Sequence, residues 1–345
     1  MEQNASYWEI PQPEISEEAR KIKELRKQGN ILGGALLIYK GVMNVAVYSV
    51  MTAAGVIYGL VSALAGGWNS AADPELDYSF MQQLMNDASG WGYILAILIC
   101  MVVLLLWKKP QYISMTILQR GKSMTAGSFF MLVCLAFGCQ LPAQLLAYGF
   151  EWLSNLLGGS FLEVLQENAV QTNSLHMWLY VCFGAPIAEE FLFRGLMLRT
   201  LEPYGKRFAI VVTAVLFGLF HGSPVQTPFA MLIGLILGYV AIEYDVIWSI
   251  VLHIMNNLLL SDLLPRLLAV LPLDLAGILF WVILAGFFLA ALFILLEKAK
   301  YLSQISWDAK PEPWQRKTFW RSPCIIILTV WCLLELSMYF LYIFL

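Results

Sequence analysis

Charge is what this chain has least of. Of its 345 residues only 13% are Asp, Glu, Lys or Arg, against 59% hydrophobic, and the mean hydropathy is +0.70. A soluble domain carries roughly a quarter charged residues, so an ordinary soluble domain is excluded. Several apolar runs are long enough to cross a bilayer core of roughly 30 Å. Cysteine is sparse too, and no CxxC spacing occurs. That argues against a metal cluster or a disulfide framework. Cys100, Cys134, Cys139, Cys182, Cys324 and Cys332 all sit in or beside apolar runs and read as small buried hydrophobes. The first 30 residues are polar, with Lys and Glu interleaved. They lack the apolar core of a cleavable signal peptide and read as a cytoplasmic amphipathic lead-in. Long-period repeats and low-complexity segments are absent. Only three histidines exist.

What is present is a series of hydrophobic spans. Nine candidates emerge, at about 41–66, 91–107, 124–157, 175–199, 207–225, 228–243, 247–264, 275–297 and 324–345. Pro142 is positioned to kink or split the third. The first begins at Gly41, which leaves Lys40 at the interface. The fold class expected is an all-α polytopic membrane protein, a bundle of about 8–9 transmembrane helices around a buried polar site. Nineteen of the 21 Lys and Arg fall in four clusters, 20–40, 108–122, 199–207 and 298–321. The segment 68–90, with Asp73, Glu75, Asp77 and Asp87, carries no base, nor does 158–174, with Glu163 and Glu167. Basic segments stay in the cytoplasm. Alternation through nine spans then puts every cluster inside, the N-terminus in and the C-terminus out. Arg194 and Arg266 are the exceptions. The expected organisation is a cytoplasmic lead-in over 1–40, accessory helices over 41–170, a catalytic membrane core over 171–264, and C-terminal helices over 265–345. The last part includes a basic, aromatic cytoplasmic loop at 298–322 that reads as an interfacial anchor.

An ionisable group in a span costs a few kcal/mol and persists where it pairs, lines a cavity or does chemistry. The search therefore narrows to Glu189, Glu190, Arg194, His221, His253, Asn256, Asn257 and Asp262. His176 lies at the outer edge of its span, where a surface role is expected. In "APIAEEFLFRG" (185–195) the two glutamates point about 100° apart on a helix, and Arg194 shares a face with Glu190. Glu190 then has a counter-charge. Glu189 is left without one in its own helix, the condition under which a desolvated carboxylate serves as a general base. The other reading is that both glutamates share Arg194 and only hold helices together. In "FGLFHG" (217–222) Phe217 and His221 share a face, and so do His253 and Asn257 in "SIVLHIMNN" (249–257). The latter pair suits an oxyanion site or, equally, an interhelical hydrogen bond. At about 1.5 Å per residue, Glu189, His221 and His253 fall at comparable depths, so three helices could meet at one polar site. Gly234 and Gly238 form a GxxxG, which permits close helix approach.

These three motifs in this order resemble the CPBP family of intramembrane proteases, also called the ABI or type II CAAX prenyl protease family. The family pattern EExxxR, FxxxH, HxxxN is matched by Glu189-Glu190-xxx-Arg194, Phe217-xxx-His221 and His253-xxx-Asn257. The resemblance covers about 90 residues over spans 175 to 264. It implies that Glu189 and His221 activate a water and that His253 and Asn257 stabilise the oxyanion. Glu190, Arg194 and Phe217 would support them. Family members are often labelled metalloproteases, and Glu189, His221 and His253 would make a zinc set with an open position for water. The chain has no HExxH, and a direct glutamate–histidine mechanism uses the same residues without a metal, which is the reading favoured.

The function expected is an intramembrane endopeptidase acting on a membrane-associated protein or peptide. The family's branches point to CAAX trimming, bacteriocin immunity or peptide maturation. The other readings are a non-proteolytic membrane scaffold or immunity protein, and a transporter. The transporter reading lacks the paired interrupted helices such folds carry. Expected partners are the bilayer and the substrate, not nucleic acid, and the expected location is a plasma membrane of bacterial type.

Overall fold

The computed structural model describes residues 16–64, 74–167, 172–304 and 312–343. Every regular element among the described residues is helical. The chain is a polytopic helical membrane protein, with seven helices long and apolar enough to cross a bilayer. Parts of the sequence expectation lie outside the described residues: lead-in residues 1–15, acidic residues 68–73, residues 168–171 and loop residues 305–311.

Helix α1 (Glu17–Leu64) is longer than the sequence led us to expect. Its polar start carries a Glu17–Lys21 pair at 2.7 Å, one helical turn apart. Leu25, Leu32, Leu36, Tyr39 and Met43 then form one buried stripe. That stripe is why the helix does not begin at Gly41. Its first half lies against α10 (Pro313–Trp320) and α11 (Pro323–Tyr342), with Gly29 beside Phe319 and Ser322 and Gly33 beside Cys324 and Ile325. Lys40 is therefore not at the interface. It is 8% exposed and pairs with Glu335 of α11 at 2.6 Å.

Helix α2 (Pro74–Trp107) starts well before residue 91 and packs along α1. Helix α3 (Ala126–Leu156) breaks at Cys139, whose N–H bonds back three residues to Ala136. The second half restarts at Gln140, so Pro142 falls in a first turn, where its missing N–H costs nothing. A short helix α4 (Phe161–Glu167) follows. All six cysteines are free thiols.

The next four helices carry the candidate site. Helix α5 (residues 175–201) is helical throughout, but π-turns interrupt it at Tyr180–Gly184 and Phe191–Leu198. Helix α6 (Lys206–Phe220) has 15 residues, about 22 Å, and does not span. The sequence expectation of a span to 225 is corrected here. The helix stops where His221 caps it and Gly222 turns the chain at φ +61°. Glu335 sits where a side chain on Gly222 would go, so both the conformation and the space call for glycine. Helix α7 (Gln226–Glu243) returns antiparallel to α6, with Gly234 lying against the Ala214 backbone. Helix α8 (Val246–Leu268) starts at Asp245, whose carboxylate accepts from the Trp248 N–H, and contains a third π-turn at Asn256–Leu263.

Helix α9 (Leu273–Gln304) carries helix well into the segment expected to be a loop at 298–322. Helix α10 accounts for most of the rest that is described. Gln315 accepts from the Glu312 N–H at its start, and Phe319 is fully buried against Phe208, their ring centres 6.0 Å apart. The aromatic residues there pack inside the protein, which is why they are ordered as a helix.

Candidate active site

Glu190 and Arg194 form the centre of the site. Both are fully buried, and the Arg194 Nη1 donates to Glu190 Oε1 at 2.8 Å. Burying two charges is tolerable only when each is paired and hydrogen-bonded. Arg194 also reaches the Gly234 carbonyl at 3.4 Å, and its guanidinium lies 4.2 Å from the centre of the Phe217 ring. Phe217 thus acts on the site as the aromatic face beneath a cation. The close approach of α7 at Gly234 is what brings that carbonyl within reach.

Glu190 has two more donors, both from α8. Ser249 Oγ donates to Oε2 at 2.5 Å, and His253 Nδ1 stands 3.0 Å from Oε1. A carboxylate held by Arg194, Ser249 and His253 has its lone pairs committed. It orients His253 with Nδ1–H toward itself, which leaves Nε2 facing Glu189 at 3.9 Å, beyond hydrogen-bond distance.

Glu189 differs in each respect. Its side chain is 14% exposed, and the 3.9 Å approach to His253 is its closest ion-pair contact among the described residues. His221 ends α6, and its Nδ1 lies 2.8 Å from the Phe217 carbonyl. A carbonyl only accepts, so Nδ1 carries the proton and the neutral ring presents the Nε2 lone pair. His221 and His253 both stand edge-to-face on Phe217, with ring centres 4.8 and 5.7 Å away. One phenyl ring therefore spaces the two imidazoles.

Asn257 lies in the π-turn of α8. Its Nδ2 donates to the Val181 carbonyl at 3.0 Å, and its Oδ1 accepts from Asn256 at 3.2 Å. Asp262 is drawn away from the site, accepting from Thr172, Trp178 and Arg266. His176 lies 3.4 Å from Asp87 and packs tilted against Trp91.

A metal would need converging donors. Among the described residues no three His, Cys, Asp or Glu side chains come together as a metal-binding group. No step below is routed through a metal.

Several site residues escape a reading of the sequence. Ser249 had a signal, since it lies one helical turn before His253 on the same face. Lys40 and Glu335 had none. Lys40 Nζ donates to the Phe220 carbonyl at 3.2 Å, the residue before His221, yet 180 positions separate them.

No curated protein and no solved structure matches the chain. Residues 171–259 match the family model described as "Type II CAAX prenyl endopeptidase Rce1-like". The match takes in α5 through the first π-turn residues of α8, and with them every residue of the three motifs. Over these residues the chain is similar to the CPBP, or type II CAAX prenyl protease, family.

Proposed function

We propose that the chain hydrolyses a peptide bond of a membrane-associated protein or peptide, with Glu189 as general base. The observation that carries this reading is the unequal treatment of two adjacent carboxylates. Glu190 is fully buried and saturated by Arg194, Ser249 and His253, whereas Glu189 is partly open and stands 3.9 Å from the His253 ring. A structural pair needs the first kind of carboxylate, and a proton acceptor needs the second.

In the proposed reaction a water is held between Glu189 and His221 Nε2. Glu189 takes one proton as the water oxygen bonds to the scissile carbonyl carbon. The carbonyl oxygen becomes an oxyanion, stabilised from the α8 side by the second Nδ2–H of Asn257 and by His253 once its Nε2 carries a proton. The carbon–nitrogen bond then breaks as Glu189 returns the proton to the leaving nitrogen, and the new carboxylic acid passes the second water proton to the amine, giving a carboxylate and an ammonium group. Glu190 and Arg194 fix the rings and take no part in proton transfer. Each step uses protein side chains and water alone.

The substrate need not be identified for the test. Wild type, Glu189→Ala and His221→Ala are reconstituted with the membrane-protein fraction of the expression host, and new N-termini are read by mass spectrometry. Wild type is expected to generate N-termini that both variants fail to produce, with or without a zinc chelator. Equal peptide patterns from all three would sink the reading. Activity lost to the chelator and regained with zinc would replace the metal-free mechanism. Variants that keep the protein's cellular function would leave a non-proteolytic scaffold.

A further inference from the structure

An apolar cavity of about 550 Å³ lies between α1, α2 and α5, and the first two of these helices are outside the matched segment. Gly34 and Ile38 of α1 form one wall, Val103 and Trp107 of α2 the other, and Leu192 and Leu196 of α5 the floor. The floor is buried, whereas Ile38 is 61% and Val103 49% exposed. The cavity is therefore closed toward α5 and open sideways between α1 and α2, where a bilayer presents acyl chains. Along α1 it runs from Asn30 to Val42, about 18 Å of helix. One leaflet of hydrocarbon is about 15 Å deep, so the cavity has the length of a single acyl chain.

No charged side chain lines the cavity, but its Asn30 end is flanked by two lysines. Trp107 lines that end, and the Lys108 ammonium stands 4.2 Å from the centre of the Trp107 ring and 4.7 Å from that of Tyr112. Lys108 is half-buried, and burial pushes its ammonium below the usual lysine range. Lys27 is exposed and lies one helical turn before Asn30, on the stripe of α1 that forms the wall. Among the described residues carboxylates pair with Lys21, Lys40, Lys122 and Lys298, and with neither Lys27 nor Lys108. Glu24, next outward on the same stripe, accepts from Gln28.

An uncharged slot one chain long, with two unpaired cations at one mouth, is complementary to an amphiphile with an anionic head. A neutral lipid would fill the slot and leave the lysines without a counter-charge. We propose that the cavity binds one chain of an anionic phospholipid from the surrounding leaflet, with its phosphate held between Lys108 and Lys27. The lipid seals α1 and α2 against α5, so it binds only the folded arrangement and stabilises it. This inference is independent of the endopeptidase reading.

The full-length protein is titrated in detergent with phosphatidylglycerol, with phosphatidylcholine of the same chains, and with glycerol phosphate, and thermal unfolding is read at each step. Wild type is compared with Gly34→Leu and with the double variant Lys27→Gln, Lys108→Gln. A Cβ on Gly34 meets nothing within 4 Å, so the leucine enters the cavity without displacing a neighbour. The double variant keeps every ion pair of the described fold. Phosphatidylglycerol at about 100 times its Kd should raise the wild-type melting temperature by roughly 5 °C. Phosphatidylcholine should do less, and glycerol phosphate nothing. The double variant should bind phosphatidylglycerol roughly tenfold more weakly and lose its preference over phosphatidylcholine. Gly34→Leu should lose stabilisation by both lipids, yet melt at or above wild type without them, because leucine is the better helix former. Equal stabilisation of wild type by the two lipids overturns the proposal, since the lysines then select nothing. So does undiminished phosphatidylglycerol binding by Gly34→Leu, which places the chain elsewhere. Stabilisation by glycerol phosphate equal to that by the lipid reduces the site to a bare anion site and overturns it too. If Gly34→Leu does not fold, the double variant decides: wild-type affinity and preference there overturn the proposal.

Discussion

Two buried ion pairs flank His221, and they are built differently. Glu190 and Arg194 lie one turn apart on a single helix, both fully buried. Lys40 and Glu335 come from opposite ends of the chain, and Glu335 keeps 35% of its side chain exposed. The first pair gathers Ser249, His253 and the Gly234 carbonyl, and so ties α5 to α7 and α8. The second ties α1 to α11 and, through the Phe220 carbonyl, to the end of α6. Trp331 Nε1 donates to the other carboxylate oxygen of Glu335 at 2.8 Å. The local pair therefore sets the histidine of α8, and the distant pair sets the histidine of α6. Helices outside the matched segment hold half of the candidate site.

Breaking the local pair has the largest expected effect. Arg194→Leu leaves Glu190 charged in a fully buried place, which costs about 3–5 kcal/mol. Thermal unfolding in detergent should show a large drop, with cleavage lost alongside. Replacing both members, as Glu190→Met with Arg194→Leu, should recover much of that stability, because apolar isosteres often substitute for a buried pair. Cleavage should stay lost, because His253 and Ser249 no longer have their acceptor. A double variant as unstable as the single one would mean that the pair's geometry, not its charge balance, supports the fold.

Next in size is Lys40→Met. It removes the donor to the Phe220 carbonyl and leaves Glu335 facing Gly222 without its counter-charge. A loss of about 1–3 kcal/mol follows from the unmade hydrogen bonds. The cleavage rate should fall roughly tenfold, since His221 follows the released carbonyl. The charge reversal Lys40→Glu with Glu335→Lys sharpens the point. It restores an ion pair but gives the carbonyl no donor from α1, so stability should recover further than rate. Equal recovery of both would show that the pair only joins helices.

The same contrast explains what could be read from the sequence. The motifs of α5, α6 and α8 were visible because a helix turns local spacing into a shared face, as at Glu190 and Arg194. The hydrophobic spans are helical over most of their described length, because their apolarity demands satisfied backbone. Spacing alone failed where the helix was not ideal. The π-turns at Phe191–Leu198 and Asn256–Leu263 shift side chains off the 3.6-residue count, and Asn257 turns toward Val181. It failed again at α6, whose apolar run continues past the point where Gly222 ends the helix. Contacts between distant segments were out of reach. Lys40 looked like an interfacial lysine because its partner, Glu335, is 295 residues away in an equally apolar stretch.

The smallest effect is expected at Asp262, and it tests whether partnering separates structural from reactive carboxylates. Asp262 is buried in a span, like Glu190, and fully subscribed, accepting from Thr172, Trp178 and Arg266. Unlike Glu189, it pairs with no imidazole among the described residues. Its carboxyl is tied to the C-terminal end of α8, and the Arg266 side chain that pairs with it is half exposed. An exposed partner is screened by solvent and contributes little. Asp262→Ala should therefore lower the melting temperature modestly, chiefly because Trp178 Nε1 loses its acceptor. Cleavage measured beside wild type should be unchanged. If Asp262→Ala instead abolished cleavage while the fold survived, saturation by donors would no longer distinguish a structural carboxylate from a reactive one. The assignment of the base to Glu189 over Glu190 would then need independent evidence, from the pH dependence of each variant.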